Sequence, residues 1–205
     1  MIRQIPNTVI LIVVMLHALT CAECPLFEKA MDKYQSNEFY SMDFSQLIHS
    51  DIFKSVDTLF GTIKACSDGR FHMITPNQIL VSNGTVLWNY TIDNEQVIID
   101  SITRNEIWNP IMLFFNPRHY YKCTSEKNDK TFTKVSMIAH DSLIAPNEFQ
   151  LKIRLEDFIP LGIFYMDEND SRIEIYINDF RFISNLSDSV FQFIPPTGIE
   201  VIEMP

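Results

Sequence analysis

The chain has 205 residues, of which 46% are hydrophobic and 20% charged, and its formal net charge is −10. This acidity argues against two classes of partner, nucleic acids and anionic lipid headgroups, because both bind clustered Lys and Arg. The length fits one domain, since domains commonly hold about 150 residues, and no internal repeat or low-complexity linker divides the chain.

The N-terminus has the pattern of a signal peptide. One cation, Arg3, precedes the uncharged run VILIVVML, which is too short to span a bilayer as a helix. The small residues Thr20 and Ala22 then precede a predicted cleavage that leaves Glu23 as the first mature residue. We therefore expect an exported protein.

Lipidation of Cys21 is the alternative for this region. The preceding ALT argues against it, because Leu and Thr stand where such a signal has small residues. The expected organisation is a signal peptide, residues 1–22, followed by a single domain, residues 23–205.

Three cysteines remain after this cleavage, in an oxidising compartment where disulfides persist. Cys24, Cys66 and Cys123 allow one pair and one free thiol, and spacing alone leaves open whether Cys66 and Cys123 pair or all three are buried thiols. These three cysteines form no CxxC motif and no His/Cys cluster, so neither a metal site nor a cofactor is expected.

The mature chain begins with a predicted helix in CPLFEKAMDKY. Pro25 suits a first helical turn. Apolar residues then recur at helical spacing on one face, namely Leu26, Phe27, Ala30, Met31 and Tyr34.

Strands follow this helix. FYSMDFSQ places Tyr40, Met42 and Phe44 on one side, and TLFGTIKAC, RFHMIT, QILVSNG and TVLWNYT continue the β pattern. SNG, residues 82–84, predicts a hairpin turn. The bulky EIWNPIMLFFNPRHYY, with two prolines, fits a short helix better than a strand.

Alternation resumes in EFQLKIRL and SRIEIYIN, which read as antiparallel strands with one wet face. FQF, residues 191–193, predicts a final strand that Pro195 and Pro196 end. About ten antiparallel strands must curl, and two helical segments are available to cover the inner face. A wide, curled and open sheet leaves space that its own side chains do not fill, which predicts an apolar cavity.

Two motifs in this order resemble a known family. VSNGTVLWNY and FQFIPPTGIEVI, with DFSQ and NPIML around them, look like the bacterial outer-membrane lipoprotein carriers of the LolA type. The resemblance implies a mainly β (α+β) fold, an unclosed antiparallel β-barrel with helices over an apolar cavity. It also implies that the tail from Gly198 turns back along the open edge, which protects that edge from pairing with another chain.

The resemblance implies a periplasmic carrier that shelters the acyl chains of lipoproteins or other lipids between the inner and outer membranes. Its partners would be an inner-membrane lipoprotein-releasing exporter and an outer-membrane acceptor, and we expect a monomer. The lining and lid positions that it indicates are Phe71, Met73, Trp88, Tyr90, Ile111, Met112 and Phe114. Each of these side chains also suits an ordinary core.

The chain departs from the family at one position. The related carriers have KRP after the Gly61 position, with an arginine that resembles a latch on the lid helix, and that arginine falls on Ser67 here. Arg70 is the candidate substitute, and the competing interpretation is a solvated arginine at the rim.

Two other functions are alternatives to the carrier. The first is a module of the same fold that senses lipids or lipoproteins through a membrane-anchored partner. The second is an enzyme, which we do not expect: no nucleophile elbow or carboxylate pair stands out, and HDS, residues 140–142, reads as a polar loop.

Overall fold

The computed structural model describes residues 24–101, 112–115, 117–142 and 144–204. The predicted signal peptide and its cleavage site lie outside these residues. Within them, no helix has both the length and the apolar character needed to cross a membrane.

The described chain forms two α-helices, two 3₁₀ helices and twelve strands. The helices are α1 (Pro25–Gln35), α2 (Met112–Phe115) and the 3₁₀ turns Pro117–His119 and Asp188–Phe191. The strands are β1 (Phe39–Ser50), β2 (Ser55–Cys66), β3 (Phe71–Ile74), β4 (Gln78–Ser82), β5 (Val86–Thr91), β6 (Gln96–Ser101), β7 (Tyr121–Asn128), β8 (Phe132–Ala139), β9 (Glu148–Arg154), β10 (Pro160–Met166), β11 (Arg172–Ile183) and β12 (Glu200–Glu203).

All twelve strands belong to one open sheet, in the order β12-β6-β5-β4-β3-β2-β1-β11-β10-β9-β8-β7. Neighbouring strands pair antiparallel, except that β12 pairs parallel with β6. The prediction of an unclosed, mainly antiparallel sheet is confirmed, with twelve strands where about ten were expected.

Helix α1 covers the concave face of the β7–β11 half of the sheet. Phe27, Ala30, Met31 and Tyr34 are buried as predicted, and they share one core with Leu151 and other residues of these strands. The apolar face of the helix therefore packs against the apolar face of these strands.

Both ends of α1 are fixed by polar contacts. At its N-terminus, Glu126 on β7 accepts hydrogen bonds from the backbone N–H groups of Leu26 (2.9 Å) and Phe27 (3.0 Å). These are donors that a helix leaves unpaired, so the carboxylate caps the helix from another element. At the other end, the Lys33 ammonium donates to the Asp157 carbonyl at 2.7 Å.

The disulfide joins Cys24 to Cys123, with 6.5 Å between their Cα atoms, and Cys66 is a buried free thiol. One pair and one free thiol is thus the alternative that the structure shows, and Cys66 and Cys123, whose pairing the spacing leaves open, do not form the bridge. Cys66 lies on the convex face beside Phe39 and Phe191, while Cys24 precedes α1 on the concave side. The sheet therefore separates Cys66 from the Cys24–Cys123 bridge.

The predicted final strand FQF is also wrong. Phe191 ends a 3₁₀ turn, and the following residues are extended but unpaired. This segment crosses the convex face: the Val190 carbonyl lies 2.9 Å from His72 Nδ1, and the Phe193 ring lies 5.7 Å from that of Tyr90. The alternation in FQF reflects packing on a sheet from outside.

The tail after this segment behaves as the family resemblance implied. Gly198 adopts φ +92°, a conformation that favours glycine, and the chain turns there. β12 then pairs with β6, and the Gln96 amide donates to the Glu200 carboxylate at 2.6 Å. The edge of β6 is thereby covered.

Phe191→Ala is expected to destabilise the protein by about 3 kcal/mol, because a buried ring is lost from a site that cannot fully collapse. The Phe191 side chain stacks on Phe39, with 6.5 Å between ring centroids. Phe193→Ala, which truncates a half-buried ring on the same segment, should cost clearly less. Urea titration of both variants measures the difference, and equal losses would contradict this packing.

Candidate functional site

A cavity of about 1030 Å³ lies on the concave side of the sheet. Its walls come from β1–β5, from β10 and β11, from α2 and from the loop between β8 and β9. The described lining residues are Phe44, Gln46, Ile48, Leu59, Ile63, Phe71, Met73, Gln78, Leu80, Leu87, Asn89, Phe114, Ser142, Ile144, Ala145, Pro146, Asn147, Glu148, Tyr165, Met166, Asp167, Glu168, Asn169, Ile173 and Ile175. No residue of α1 is among them, so α1 borders the core and not this space.

The inner part of the cavity is apolar because strand alternation sends one side chain in two to the concave face. Phe71 and Met73 of β3 line the cavity, and Met73 lies between Ile63 of β2 and Leu80 of β4. Phe71 is buried, whereas Met73 and Leu80 are only half-buried. These walls suit a ligand that needs loose, non-directional apolar contact.

A small amide cluster interrupts the apolar wall. The side-chain amide of Gln78 on β4 donates to the side-chain oxygen Oδ1 of Asn89 on β5 at 2.7 Å. Gln46 of β1 also lines the cavity. Each primary amide has four hydrogen-bonding positions, so the pair keeps capacity to bond a further polar group.

One end of the cavity is acidic. β9 begins at Glu148 and β10 ends at Met166, so the loop before β9 and the turn after β10 lie at the same end of the sheet. Glu148, Asp167 and Glu168 are the charged members of the described lining, which holds no Lys, Arg or His. We call these three residues the acidic rim.

The geometry of the acidic rim is partly fixed by backbone contacts. Asp167 Oδ1 accepts from the N–H groups of Asn169 (2.9 Å) and Ser171 (2.8 Å) and so shapes the β10–β11 turn. Burial, and then the charge of Asp167, raise the pKa of the neighbouring Tyr165 hydroxyl. Tyr165 therefore stays neutral at physiological pH and adds no second anion to the cavity wall.

The structure places three of the predicted site residues at the cavity, namely Phe71, Met73 and Phe114. Trp88 and Tyr90 lie on the convex face of β5, away from the cavity. Trp88 is the register partner of Val81 on β4, and Val81 is the partner of His72 on β3, whose side chain faces the convex side. The lining positions of β5 are instead Leu87 and Asn89.

The remaining predicted lid positions are described only in part. Ile111 lies outside the described residues. Met112 begins α2, the short helix expected in this interruption, and Phe114 of the same helix reaches the cavity.

The candidate latch, Arg70, has its described contacts away from α1. Its guanidinium pairs with Asp68 (2.7 Å) and Asp188 (2.6 Å) and lies 4.8 Å from the centroid of the Phe191 ring. The hydrogen bond to Asp188 in particular raises the pKa of Arg70. These contacts hold the C-terminal segment against the convex face.

Arg118, which the sequence did not single out, contacts α1 instead. Its Nη2 lies 2.6 Å from a Glu28 carboxylate oxygen and 3.1 Å from one of Asp32. Arg118 lies in the 3₁₀ turn Pro117–His119, three residues after the end of α2, and so connects this part of the chain to α1. The sequence does indicate a site for a cation, since Glu28 and Asp32 are four residues apart on the outer face predicted for α1.

No group of three or more His, Cys, Asp or Glu side chains that could hold a metal ion occurs in the part of the chain that the structure describes. The described cavity combines apolar walls with an acidic end. Together, an open curled sheet, helices on its concave face and an apolar cavity between them define a carrier type of protein.

Comparison with known proteins specifies the family. Residues 35–194 match the model of "Outer membrane lipoprotein carrier protein LolA", and the chain belongs to this family. The outer-membrane lipoprotein carrier protein of Haemophilus influenzae is 30% identical over 169 residues, covering 78% of each chain. That of Pasteurella multocida is 31% identical with the same coverage. The family consists of carriers, which agrees with the expectation that the chain is not an enzyme.

Solved structures support the fold alone. A crystal structure of a LolA superfamily protein from Nitrosomonas europaea superposes with a TM-score of 0.51 at 10% identity, covering 81% of this chain and 97% of that one. An uncharacterised conserved protein from Thermus thermophilus gives a TM-score of 0.56 at 14% identity, covering 86% and 96%.

Proposed function

We propose that this protein is a periplasmic carrier that shelters the acyl chains of lipoproteins while they cross from the inner to the outer membrane. The observation that carries the proposal is the apolar cavity of about 1030 Å³ on the concave side of a LolA-family sheet. Its donor would be an inner-membrane lipoprotein-releasing exporter and its recipient an outer-membrane acceptor.

The energetics explain why such a cavity is needed. Each methylene group brought into water costs ~0.8 kcal/mol, so one chain of about sixteen carbons costs roughly 13 kcal/mol. Passage through an aqueous space without shelter is therefore too slow. A wall of half-buried side chains such as Met73, Leu80 and Leu87 offsets this cost by contacts without fixed direction, so that an acceptor can take the cargo.

The proposal is tested by extraction of a lipopeptide from vesicles. Liposomes carry a fluorescent, N-acetylated dipalmitoylglyceryl-cysteine peptide, and after flotation the soluble fraction is assayed for lipopeptide bound to the protein. Wild-type protein is expected to hold about one lipopeptide per chain. Leu87→Trp, which fills part of the cavity, should lower this by at least about fivefold, because the added ring takes the space of the acyl chain.

Ile194→Trp is the matched control, because Ile194 is 87% exposed and precedes the two prolines of the C-terminal segment. This variant should extract as much lipopeptide from the vesicles as the wild type does. If wild-type protein leaves all the lipopeptide in the vesicles, the carrier proposal is wrong. The alternative of a sensing module then becomes the better hypothesis.

A further inference from the structure

We propose that the cavity is built for an amphiphile with two acyl chains and a protonated amine at its polar end, and that the acidic rim recognises this amine. The inference rests on the proposed carrier function and specifies the chemistry of its ligand. Two observations carry it, the distribution of charge along the cavity and the cavity volume.

The charged side chains in the described part of the cavity lining are all of one sign. The described lining contains three carboxylates at one end and no cationic side chain. Glu148 and Glu168 are exposed, and no ion pair with a Lys or Arg occupies their carboxylates among the described contacts. An anionic headgroup placed there meets like charges, whereas an ammonium group is attracted to them.

The apolar and acidic parts of the cavity are continuous. Ile173 of β11 lines the apolar part, and the β10–β11 turn with Asp167 and Glu168 lies immediately before β11. A ligand with its chains against β1–β5 therefore has its polar end near the acidic rim. The amides of Gln78 and Asn89 interrupt the apolar wall of β4 and β5, where they can bond the ester carbonyls that join acyl chains to a headgroup.

The volume indicates the number of chains. A methylene group is comparable in size to a liquid water molecule, ~30 Å³, so a chain of sixteen carbons fills on the order of 500 Å³. A cavity of about 1030 Å³ thus matches two such chains. Two bacterial sources share this chemistry, a diacylated lipoprotein whose N-terminal cysteine keeps its free amine and a phospholipid with an ethanolamine head.

The test measures head-group preference by displacement of N-phenyl-1-naphthylamine, a neutral apolar probe. The first ligand pair is a dipalmitoylglyceryl-cysteine peptide with a free α-amine and its N-acetylated form. The second pair is dioleoyl phosphatidylethanolamine and phosphatidylglycerol. Wild-type protein is expected to prefer the amine by roughly 3- to 10-fold at low salt, and 0.5 M NaCl should reduce this ratio.

The double variant Glu148→Gln/Glu168→Gln should bring the ratio of the two affinities within each ligand pair, with the amine over without it, close to one. Glu38→Gln/Glu203→Gln removes the same charge from exposed sites outside the cavity lining and should keep the wild-type ratio. A preference in the peptide pair identifies the lipoprotein N-terminus, and one in the lipid pair identifies the phospholipid. Equal affinities within both pairs overturn the assignment, and so does a loss of the amine preference in the control variant equal to that in the rim variant. Uptake of the neutral probe still supports the carrier proposal in either case.

Discussion

Replacing both Cys24 and Cys123 by alanine is expected to lower the free energy of unfolding by about 4 to 5 kcal/mol and the melting temperature by roughly 10–15 °C. The bridge spans 99 residues and joins the start of α1 to β7, an edge strand of the sheet. Its loss enlarges the unfolded ensemble and removes the covalent link at the end of α1 where the Glu126 hydrogen bonds also act.

Differential scanning calorimetry of oxidised, reduced and doubly substituted protein measures this effect. Cys66→Ala is the control, because it removes a cysteine that forms no bridge and should cost about 1 kcal/mol. Alkylation under denaturing, non-reducing conditions should label Cys66 and leave Cys24 and Cys123 linked. Labelling of all three thiols, or equal melting temperatures for oxidised and reduced protein, contradicts the bridge.

Much of the fold was accessible from the sequence because local periodicity reflects which face of an element is buried. The helix at Pro25, the turn at residues 82–84 and the inward row of Tyr40, Met42 and Phe44 all follow from repeats of 3.6 or 2 residues. These patterns report burial within a few neighbouring residues. They hold wherever one face meets the core.

The errors arise where the same pattern has two structural causes. Alternation in FQF fits either a paired strand or an extended segment lying on a sheet, since both bury every second side chain. Trp88 and Tyr90 alternate as clearly as Leu87 and Asn89, and the sequence does not say which face of β5 is concave. The choice depends on register with β4 and β3, which is a property of the whole sheet.

The polar parts of the site were the least predictable. Gln46, Gln78 and the acidic rim come from separate strands and turns, and only the folded sheet brings them to one cavity. The cysteine pairing has the same origin, because Cys24 and Cys123 are 99 residues apart and meet through the packing of α1. Long-range contacts of this kind leave no periodic trace in the chain.

Leu151→Asp and Leu80→Asp form a matched pair that separates core from cavity and should give the largest contrast in stability. Leu151 is fully buried between Val135 and Ile163 beneath α1, so an aspartate there buries an unpaired charge. This costs several kcal/mol against a total stability of about 5–15 kcal/mol, and the protein should unfold or aggregate.

Leu80 differs from Leu151 because it is only half-buried and faces the open space of the cavity. A carboxylate at this position can stay hydrated, so Leu80→Asp should keep a cooperative melt within about 1–2 kcal/mol of the wild type. Uptake of N-phenyl-1-naphthylamine should nevertheless fall at least about tenfold, since a charge now stands in the apolar wall. Thermal melting and probe titration on the same samples measure the stability and the probe binding of each variant. If Leu80→Asp unfolds like Leu151→Asp, Leu80 belongs to a closed core, and if it binds the probe like wild type, the ligand lies elsewhere.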